Sequence, residues 1–134
     1  MHNIRIIDIP KISDPRGNLA VIEGNTIPFK IKRVYYLYDV PSDSYRGGHA
    51  HKEQLELLIP ISGSFFVKLD NGMEKKTVFL NNPNKGLLIE KNVWRELENF
   101  SSGSTCLVLN SGLFSEEDYI REYAEFESSL KPIL

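Results

Sequence analysis

Short segments in which apolar and polar residues alternate, separated by turn residues, run through most of this 134-residue chain. Alternation with a period of two places successive side chains on opposite faces of a β-strand, and Gly, Pro, Asn, Asp and Ser clusters end each strand. The segments are residues 4–9, 19–23, 29–40, 49–61, 65–80, 87–97 and 105–111. Within the fifth segment, Asn71-Gly72 is the strongest local signal for a β-hairpin. So many strands at this spacing predict an all-β fold, an antiparallel sandwich or barrel.

The last part of the chain changes to a helical period. Ser115 is followed three residues later by Asp118, a pattern similar to the capping box that begins many helices. Apolar and aromatic side chains then recur at helical spacing, at Tyr119, Ile120, Tyr123, Phe126 and Leu130. One face of this segment can therefore pack on the sheet. We expect a single domain over residues 1–134, with one C-terminal helix that begins near Ser115.

Charge and cysteine content exclude several classes of partner. The 16 basic and 18 acidic residues give a net charge of −2, so neither nucleic acid nor an anionic membrane is an expected partner. No segment is apolar enough to cross a membrane, and the N-terminal residues lack the apolar core of a signal peptide. Cys106 is the only cysteine, which rules out an internal disulfide and fits a reducing compartment. We expect a cytoplasmic protein.

Two of the three histidines lie close together in the stretch RGGHAHKE, residues 46–53. His49 and His51 are two residues apart, so on a strand their side chains leave the same face and can converge on one atom. Imidazole is both a common metal ligand and a common acid–base catalyst near neutral pH. The spacing alone leaves open whether the two histidines bind a metal, catalyse proton transfer or are simply polar residues at a strand's edge.

The residues after the histidines resemble the first motif of the cupins. In that motif two histidines and a glutamate, here His49, His51 and Glu56, bind a divalent metal. The second cupin motif would supply a third histidine where this chain has Arg95, and a guanidinium has no lone pair to donate to a metal. The three remaining residues could still form a two-histidine, one-carboxylate set. A metal-dependent cupin is therefore one alternative.

A closer resemblance extends from end to end of the chain. Its main motifs are IKRVYY at residues 31–36, RGGHAHK at residues 46–52 and DYIREY at residues 118–123. These resemble the cupin-fold nucleotide-sugar 3,4-ketoisomerases, which act on thymidine-diphosphate-linked 4-keto-6-deoxyglucose in the routes to 3-amino-3,6-dideoxy sugars. The resemblance implies a jelly-roll barrel and a carbonyl moved from C4 to C3 through an enediol. It also implies chemistry with no cofactor or metal, and a homodimer that exchanges the N-terminal strand.

The same resemblance assigns roles to residues of this chain. It implies that Tyr35 lies in the active site with His49 and His51, where imidazoles of near-neutral pKa could move the protons. It also implies that Arg46 helps to bind the diphosphate. Alternation places Arg33 on the same strand face as Tyr35, but the sequence does not say whether that face points inward. Packing in the barrel wall is the alternative for the tyrosine.

Three further residues are candidates for substrate binding, each with an ordinary structural alternative. Arg16, in a turn, could contact the nucleotide or be a solvent-exposed turn residue. Arg33 could bind phosphate as a bidentate fork or pair with an acidic neighbour. Trp94 could stack on a base or sugar, although a lone tryptophan is more often part of a core.

Three positions depart from the residues usual in this family. Arg95 replaces a histidine, Glu56 replaces a glutamine, and Gly48 replaces an aromatic residue. All three lie in or beside the expected site, and we expect Arg95 and Glu56 to contact the substrate. The departures leave the C4 configuration of the product open. They also leave a second alternative, a sugar-nucleotide-binding cupin that has lost its acid–base residues.

Overall fold

The computed structural model describes residues 1–130, and the last four residues of the expected domain lie outside the described part. The described chain forms twelve strands and one short helix. They are β1 (Ile4–Asp8), β2 (Lys11–Asp14), β3 (Gly17–Ala20), β4 (Arg33–Tyr38), β5 (Tyr45–His51), β6 (Glu56–Ser62), β7 (Phe65–Asp70), β8 (Lys75–Leu80), β9 (Lys85–Ile89), β10 (Trp94–Glu98), β11 (Thr105–Asn110), β12 (Tyr119–Ile120) and α1 (Tyr123–Ser129).

Two five-stranded antiparallel sheets contain most of the strands. Their orders are β1-β9-β6-β11-β4 and β12-β5-β10-β7-β8, and β2 pairs with β3 as a separate hairpin. The main apolar core lies between the two sheets, with Leu58 and Val108 from the first and Val67 and Leu97 from the second. This arrangement follows from alternation, because each strand turns one apolar face toward the opposite sheet. The predicted all-β cupin jelly roll is confirmed.

The predicted hairpin at Asn71-Gly72 is also confirmed. It joins β7 to β8, and Gly72 adopts a φ of +90°, which side chains other than glycine rarely tolerate. The side-chain oxygen of Asn71 accepts hydrogen bonds from the backbone N–H groups of Met73 and Glu74. The amide of Asn71 therefore closes a loop that is longer than a two-residue turn.

The C-terminal helix exists, but the predicted start near Ser115 is wrong. Residues 116–118 form a single 3-10 turn, β12 follows, and α1 begins only at Tyr123. Ser115 makes no side-chain cap, and the carboxylate of Asp118 accepts hydrogen bonds from His51 and from the backbone of Glu53 instead. Tertiary hydrogen bonds thus replace the local cap that the sequence suggested.

The apolar face of the helix packs as expected. Phe126 is fully buried against Trp94, Ala50 and Ile120, so α1 covers the outer side of the second sheet. This helix is seven residues long. Across residues 1–130, no helix has the length and apolar character needed to cross a membrane.

Candidate active site

A cavity of about 620 Å³ opens between the two large sheets. Strands β4 and β6 form one wall, and β5, β10 and the segment from β12 onward form the other. Its polar lining consists of Arg33, Tyr35, Tyr45, Arg46, His49, Glu56, Arg95, Tyr119 and Arg121. Most of the residues singled out in the sequence therefore meet in one place.

A bulge in β5 sets the position of the histidines. The ladder pairs His49 with Arg95 and Gly47 with Glu96, so Gly48 has no opposite partner. Gly47 has a φ of +90°, and a Cβ there would lie 3.0 Å from the backbone oxygen of Arg95. The two glycines allow β5 to start at Tyr45, within a stretch whose composition indicates a loop.

Both histidines leave the same face of β5, as predicted from their spacing, and that face points into the barrel. Their rings meet edge to face, with centroids 4.9 Å apart. His49 lines the cavity, while His51 lies behind it and is fully buried. The ring of Tyr119 packs against both, 5.0 Å from His49 and 4.5 Å from His51.

The carboxylate of Glu56 is the centre of the buried hydrogen-bond network. Its Oε1 accepts a hydrogen bond of 2.6 Å from Nη1 of Arg95. Its Oε2 accepts hydrogen bonds from the hydroxyl of Tyr35 at 2.7 Å and from Nδ2 of Asn110 at 2.9 Å. Burial alone would raise the pKa of Glu56, but His51 and the charge of Arg95 outweigh burial and hold that pKa below its usual range. Glu56 is therefore ionised in the folded protein.

His51 lies between two carboxylates. Its Nδ1 is 2.8 Å from Oδ2 of Asp118, within hydrogen-bond distance. Its Nε2 is 3.4 Å from Oε2 of Glu56, without the alignment of a hydrogen bond. Asp118 was not among the residues predicted for the site.

His49 differs from His51 in lining the cavity, although one ring nitrogen of each lacks a hydrogen-bond partner among the described residues. Its Nε2 is buried, and no atom of the described residues accepts from it or donates to it. Burial, followed by the positive charge of Arg95, lowers the pKa of His49 to about 3. At neutral pH the ring is uncharged and can accept a proton, but its pKa lies well below the near-neutral value expected from the sequence.

The structure settles which face of β4 points inward. Arg33 and Tyr35 face the cavity, whereas Tyr36 and Tyr38 are exposed on the outer side. Burial and the neighbouring Glu56 carboxylate raise the pKa of Tyr35 well above its usual range. The phenol is therefore neutral, and its hydroxyl donates a hydrogen bond to the carboxylate of Glu56.

Three arginines surround the mouth of the cavity. Arg33 donates one hydrogen bond to the side chain of Gln54 at 3.1 Å, and its Nε is buried without a partner in the described chain. Arg46 projects from the exposed start of β5. Arg121 forms a two-bond ion pair with Glu116 and lies 4.3 Å from the ring centroid of Tyr119. Their positive charge makes the mouth suitable for an anionic group.

Two of the expected substrate-binding residues lie elsewhere. Arg16 is in the turn between β2 and β3, where its side chain is 90% exposed and pairs with Asp14 at 2.8 Å. Trp94 lies outside the cavity on the far side of β10, where it packs against Phe126 and donates from Nε1 to Glu96. The exposed-turn and core alternatives describe their positions in this chain.

The metal alternative also depends on this geometry. One potential ligand atom from each of His49, His51 and Glu56 lies within 4.8 Å of the others. However, both oxygens of Glu56 already accept hydrogen bonds, and the buried guanidinium of Arg95 is 2.6 Å from one of them. A divalent cation would have to displace these donors and remain beside a fixed positive charge. The residues present do not fit a metal centre.

Comparison with known proteins shows the family of this chain. The family model described as "FdtA: WxcM-like, C-terminal" matches residues 2–131. The chain is 42% identical to the TDP-4-oxo-6-deoxy-alpha-D-glucose-3,4-oxoisomerase of Aneurinibacillus thermoaerophilus, over 96% of this chain and 94% of that protein. It therefore matches a curated relative over nearly its whole length.

Solved structures agree equally well. The sugar 3,4-ketoisomerase QdtA from Thermoanaerobacterium thermosaccharolyticum, solved in complex with TDP, is 42% identical with a TM-score of 0.94, covering 96% of this chain and 95% of that one. A 3,4-ketoisomerase from Helicobacter canadensis is 45% identical with a TM-score of 0.92, covering 95% and 96%. On the family model, the curated relative and these structures, the chain belongs to the FdtA family of cupin-fold sugar-nucleotide 3,4-ketoisomerases.

Proposed function

We propose that this protein converts dTDP-4-keto-6-deoxyglucose to a dTDP-3-keto-6-deoxyhexose without a cofactor. Membership of the family supports the reaction type. The curated relative is named for a TDP-4-oxo-6-deoxyglucose substrate, and the Thermoanaerobacterium relative was solved with TDP. The cavity volume of about 620 Å³ lies within the range usual for small-molecule sites.

The observation that carries the proposal is the uncharged ring of His49, whose Nε2 is unpaired beside the cavity. The C4 carbonyl makes the C3 proton of the sugar acidic, and His49 accepts that proton as general base. The electrons of the broken C3–H bond form a C3–C4 double bond, and the carbonyl electrons move onto the C4 oxygen, which takes up the proton released by the C3 hydroxyl. The protonated ring of His49 then returns its proton to C4, and the electrons of the C3 oxygen form a carbonyl at C3.

Neighbouring groups support the negative charge that develops on the sugar oxygens. Arg95 lines the cavity beside His49, its partner across the β10–β5 ladder, and its guanidinium carries a fixed positive charge. A fixed positive charge in a site that excludes water stabilises an enediolate more than it stabilises the neutral ketone. Tyr35 is held by Glu56 at the same wall and offers its oxygen as a hydrogen-bond acceptor to a sugar hydroxyl.

The diphosphate is assigned to the cavity mouth. Arg33, Arg46 and Arg121 lie there, and guanidinium groups bind phosphate oxygens through paired N–H donors. Arg121 was not predicted as a site residue. Its ion pair with Glu116 orients it over Tyr119 before any ligand binds.

Turnover of the keto sugar nucleotide tests the proposed function. The wild-type protein is incubated with dTDP-4-keto-6-deoxyglucose, and the product is followed by NMR. His49→Asn should lose most turnover while binding dTDP as the wild type does, and His2→Asn, an exposed histidine outside the cavity, is the matched control. A wild-type protein that binds dTDP but gives no product would be the binding cupin, and the isomerase proposal would fail.

We also propose that the protein works as a homodimer in the cytoplasm. In the described chain, β1 pairs with β9, whereas β2 and β3 pair only with each other. The hairpin exposes Ile12 at 61% and Leu19 at 55%. A second copy of this chain would cover these side chains and satisfy the open sheet edges. The single, buried Cys106 is consistent with a reducing compartment.

Sedimentation tests the dimer. The wild type should sediment as a dimer at micromolar concentration, and the double variant Ile12→Ser/Leu19→Ser should shift toward a monomer. Met73→Ser, which replaces an exposed apolar residue at the β7–β8 loop, is the control and should stay dimeric. A monomeric wild type would refute the proposal.

A further inference from the structure

Asp118 is a buried carboxylate for which the proposed reaction has no direct use. It lies in the 3-10 turn before β12 and is only 9% exposed. Its Oδ2 is 2.8 Å from Nδ1 of His51, and its Oδ1 accepts a 2.7 Å hydrogen bond from the backbone N–H of Glu53. Both oxygens are therefore occupied by partners from the segment that carries the second histidine.

The backbone around Asp118 fixes this contact. Its carbonyl oxygen accepts a 2.8 Å hydrogen bond from the N–H of Lys52, and Tyr119 pairs with His51 across the β12–β5 ladder. The side chain cannot turn away from the imidazole without breaking hydrogen bonds at a buried position. The turn and β5 thus behave as one unit.

A carboxylate has only acceptors, so the hydrogen bond to Asp118 requires a proton on Nδ1 of His51. With Nδ1 occupied in this way, Nε2 lies on the side of Oε2 of Glu56, 3.4 Å away. That same oxygen accepts a hydrogen bond from the hydroxyl of Tyr35, which lines the cavity. A chain of contacts therefore runs from Asp118 through His51 and Glu56 to Tyr35.

We infer that Asp118 is the positioning residue for His51. It keeps the ring proton on Nδ1 and fixes the orientation of the ring. As a result, Nε2 stays on the side of Glu56. The inference rests on the proposed isomerase function for its effect on turnover, but its structural part concerns His51 alone. The pairing of a carboxylate with the far nitrogen of a catalytic imidazole is a known way to fix a tautomer.

Asparagine at position 118 is a sharp probe because it keeps the shape of the side chain and changes one oxygen to a donor. The backbone N–H of Glu53 can only donate, so the carbonyl oxygen of Asn must face it. The NH₂ group then faces Nδ1 of His51, which must become an acceptor. The ring proton is forced to Nε2.

The kinetic test compares Asp118→Asn with Glu117→Gln, the same chemical change at an exposed residue of the same turn. Asp118→Asn should lower kcat by about 10²-fold, because a proton on Nε2 of His51 would compete with Tyr35 for Oε2 of Glu56 and displace the groups beside the sugar, with KM and dTDP binding nearly unchanged. Glu117→Gln should have wild-type kcat and KM. Full kcat in Asp118→Asn, with wild-type thermal stability, would overturn the inference.

The direct test determines which ring nitrogen of His51 carries the proton. With ¹⁵N-labelled histidine, and the His51 signals assigned by their loss in His51→Asn, the wild-type ring should carry its proton on Nδ1. Asp118→Asn should move that proton to Nε2. An unprotonated Nδ1 in the wild type would overturn the inference, even if Asp118→Asn failed to fold. If the wild type shows the expected spectrum but no turnover, the proposed function fails and the position of the proton still stands.

Discussion

Nη1 of Arg95 lies 2.6 Å from Oε1 of Glu56, and each of the two residues is only 1% exposed. The family resemblance led us to expect a histidine and a glutamine at these two positions. The guanidinium and the carboxylate contact each other, so their charges compensate. The pair keeps the hydrogen-bond network in the cavity wall satisfied.

Removing one partner of this ion pair should destabilise the protein strongly. Arg95→Met leaves a buried carboxylate uncompensated and should lower the free energy of unfolding by about 3–5 kcal/mol. The double variant Arg95→Met/Glu56→Gln should recover much of that loss. Lys68→Met, which breaks a surface pair with Glu98 at 3.9 Å, should cost less than about 1 kcal/mol. Urea denaturation at neutral pH measures the free energy of unfolding of each variant. An Arg95→Met variant as stable as the wild type would contradict the account.

His49 should make the stability of the protein dependent on pH. Its pKa in the folded state is about 3, below the ordinary value of 6.5, so between these values the unfolded chain binds a proton that the folded protein does not. The free energy of unfolding should therefore fall as the pH drops below about 6.5. His49→Asn should show a shallower fall over this window, while His2→Asn keeps the wild-type slope. Urea titrations at several pH values measure the free energy of unfolding of the three proteins. An equal dependence on pH in all three would refute the buried neutral imidazole.

Arg46→Ala should weaken substrate binding more than catalysis. A hydrogen bond to a charged group contributes about 1.5–3 kcal/mol, so the loss of one phosphate contact should raise KM by roughly 10- to 100-fold. The turnover number should change little, because Arg46 lies at the mouth and not beside His49. Arg5→Ala, at an exposed arginine of β1, should leave both parameters unchanged. A fall in kcat at constant KM would assign Arg46 to the chemistry instead.

Turnover should survive exhaustive chelation. The buried charge of Arg95 beside Glu56 opposes a divalent cation, and the proposed proton transfers need only the side chains of the cavity. Protein dialysed against a strong chelator should keep its full kcat, and added iron or manganese should not increase it. Loss of activity on chelation and its recovery with either metal would restore the metal-dependent alternative.

Local patterns in the sequence were sufficient to predict features that depend on one strand or one hairpin. Alternation fixed the shared face of His49 and His51, and the Asn71-Gly72 signal fixed the β7–β8 hairpin. The inward direction of Tyr35 needed the structure, because alternation defines two faces without saying which one meets the core.

The C-terminal part of the site could not be predicted in the same way. Asp118 has a local capping alternative, and only the fold brings its carboxylate to His51, 67 residues earlier in the chain. Tyr119 fits a helical period and therefore was expected in a helix, although β12 places it, and the Arg121 that follows β12, at the cavity. Their signal was the DYIREY motif itself, which marked the family without revealing the contact.

Solvent exchange at C3 of the substrate tests the central claim most directly. In deuterated water with dTDP-4-keto-6-deoxyglucose, the wild type should replace the C3 proton by deuterium and place deuterium at C4 of the 3-keto product, as seen by NMR. His49→Asn should slow both events by about 10²- to 10⁴-fold. A wild type that neither exchanges the C3 proton nor forms product, or a His49→Asn variant that exchanges at the wild-type rate, would contradict proton transfer by His49.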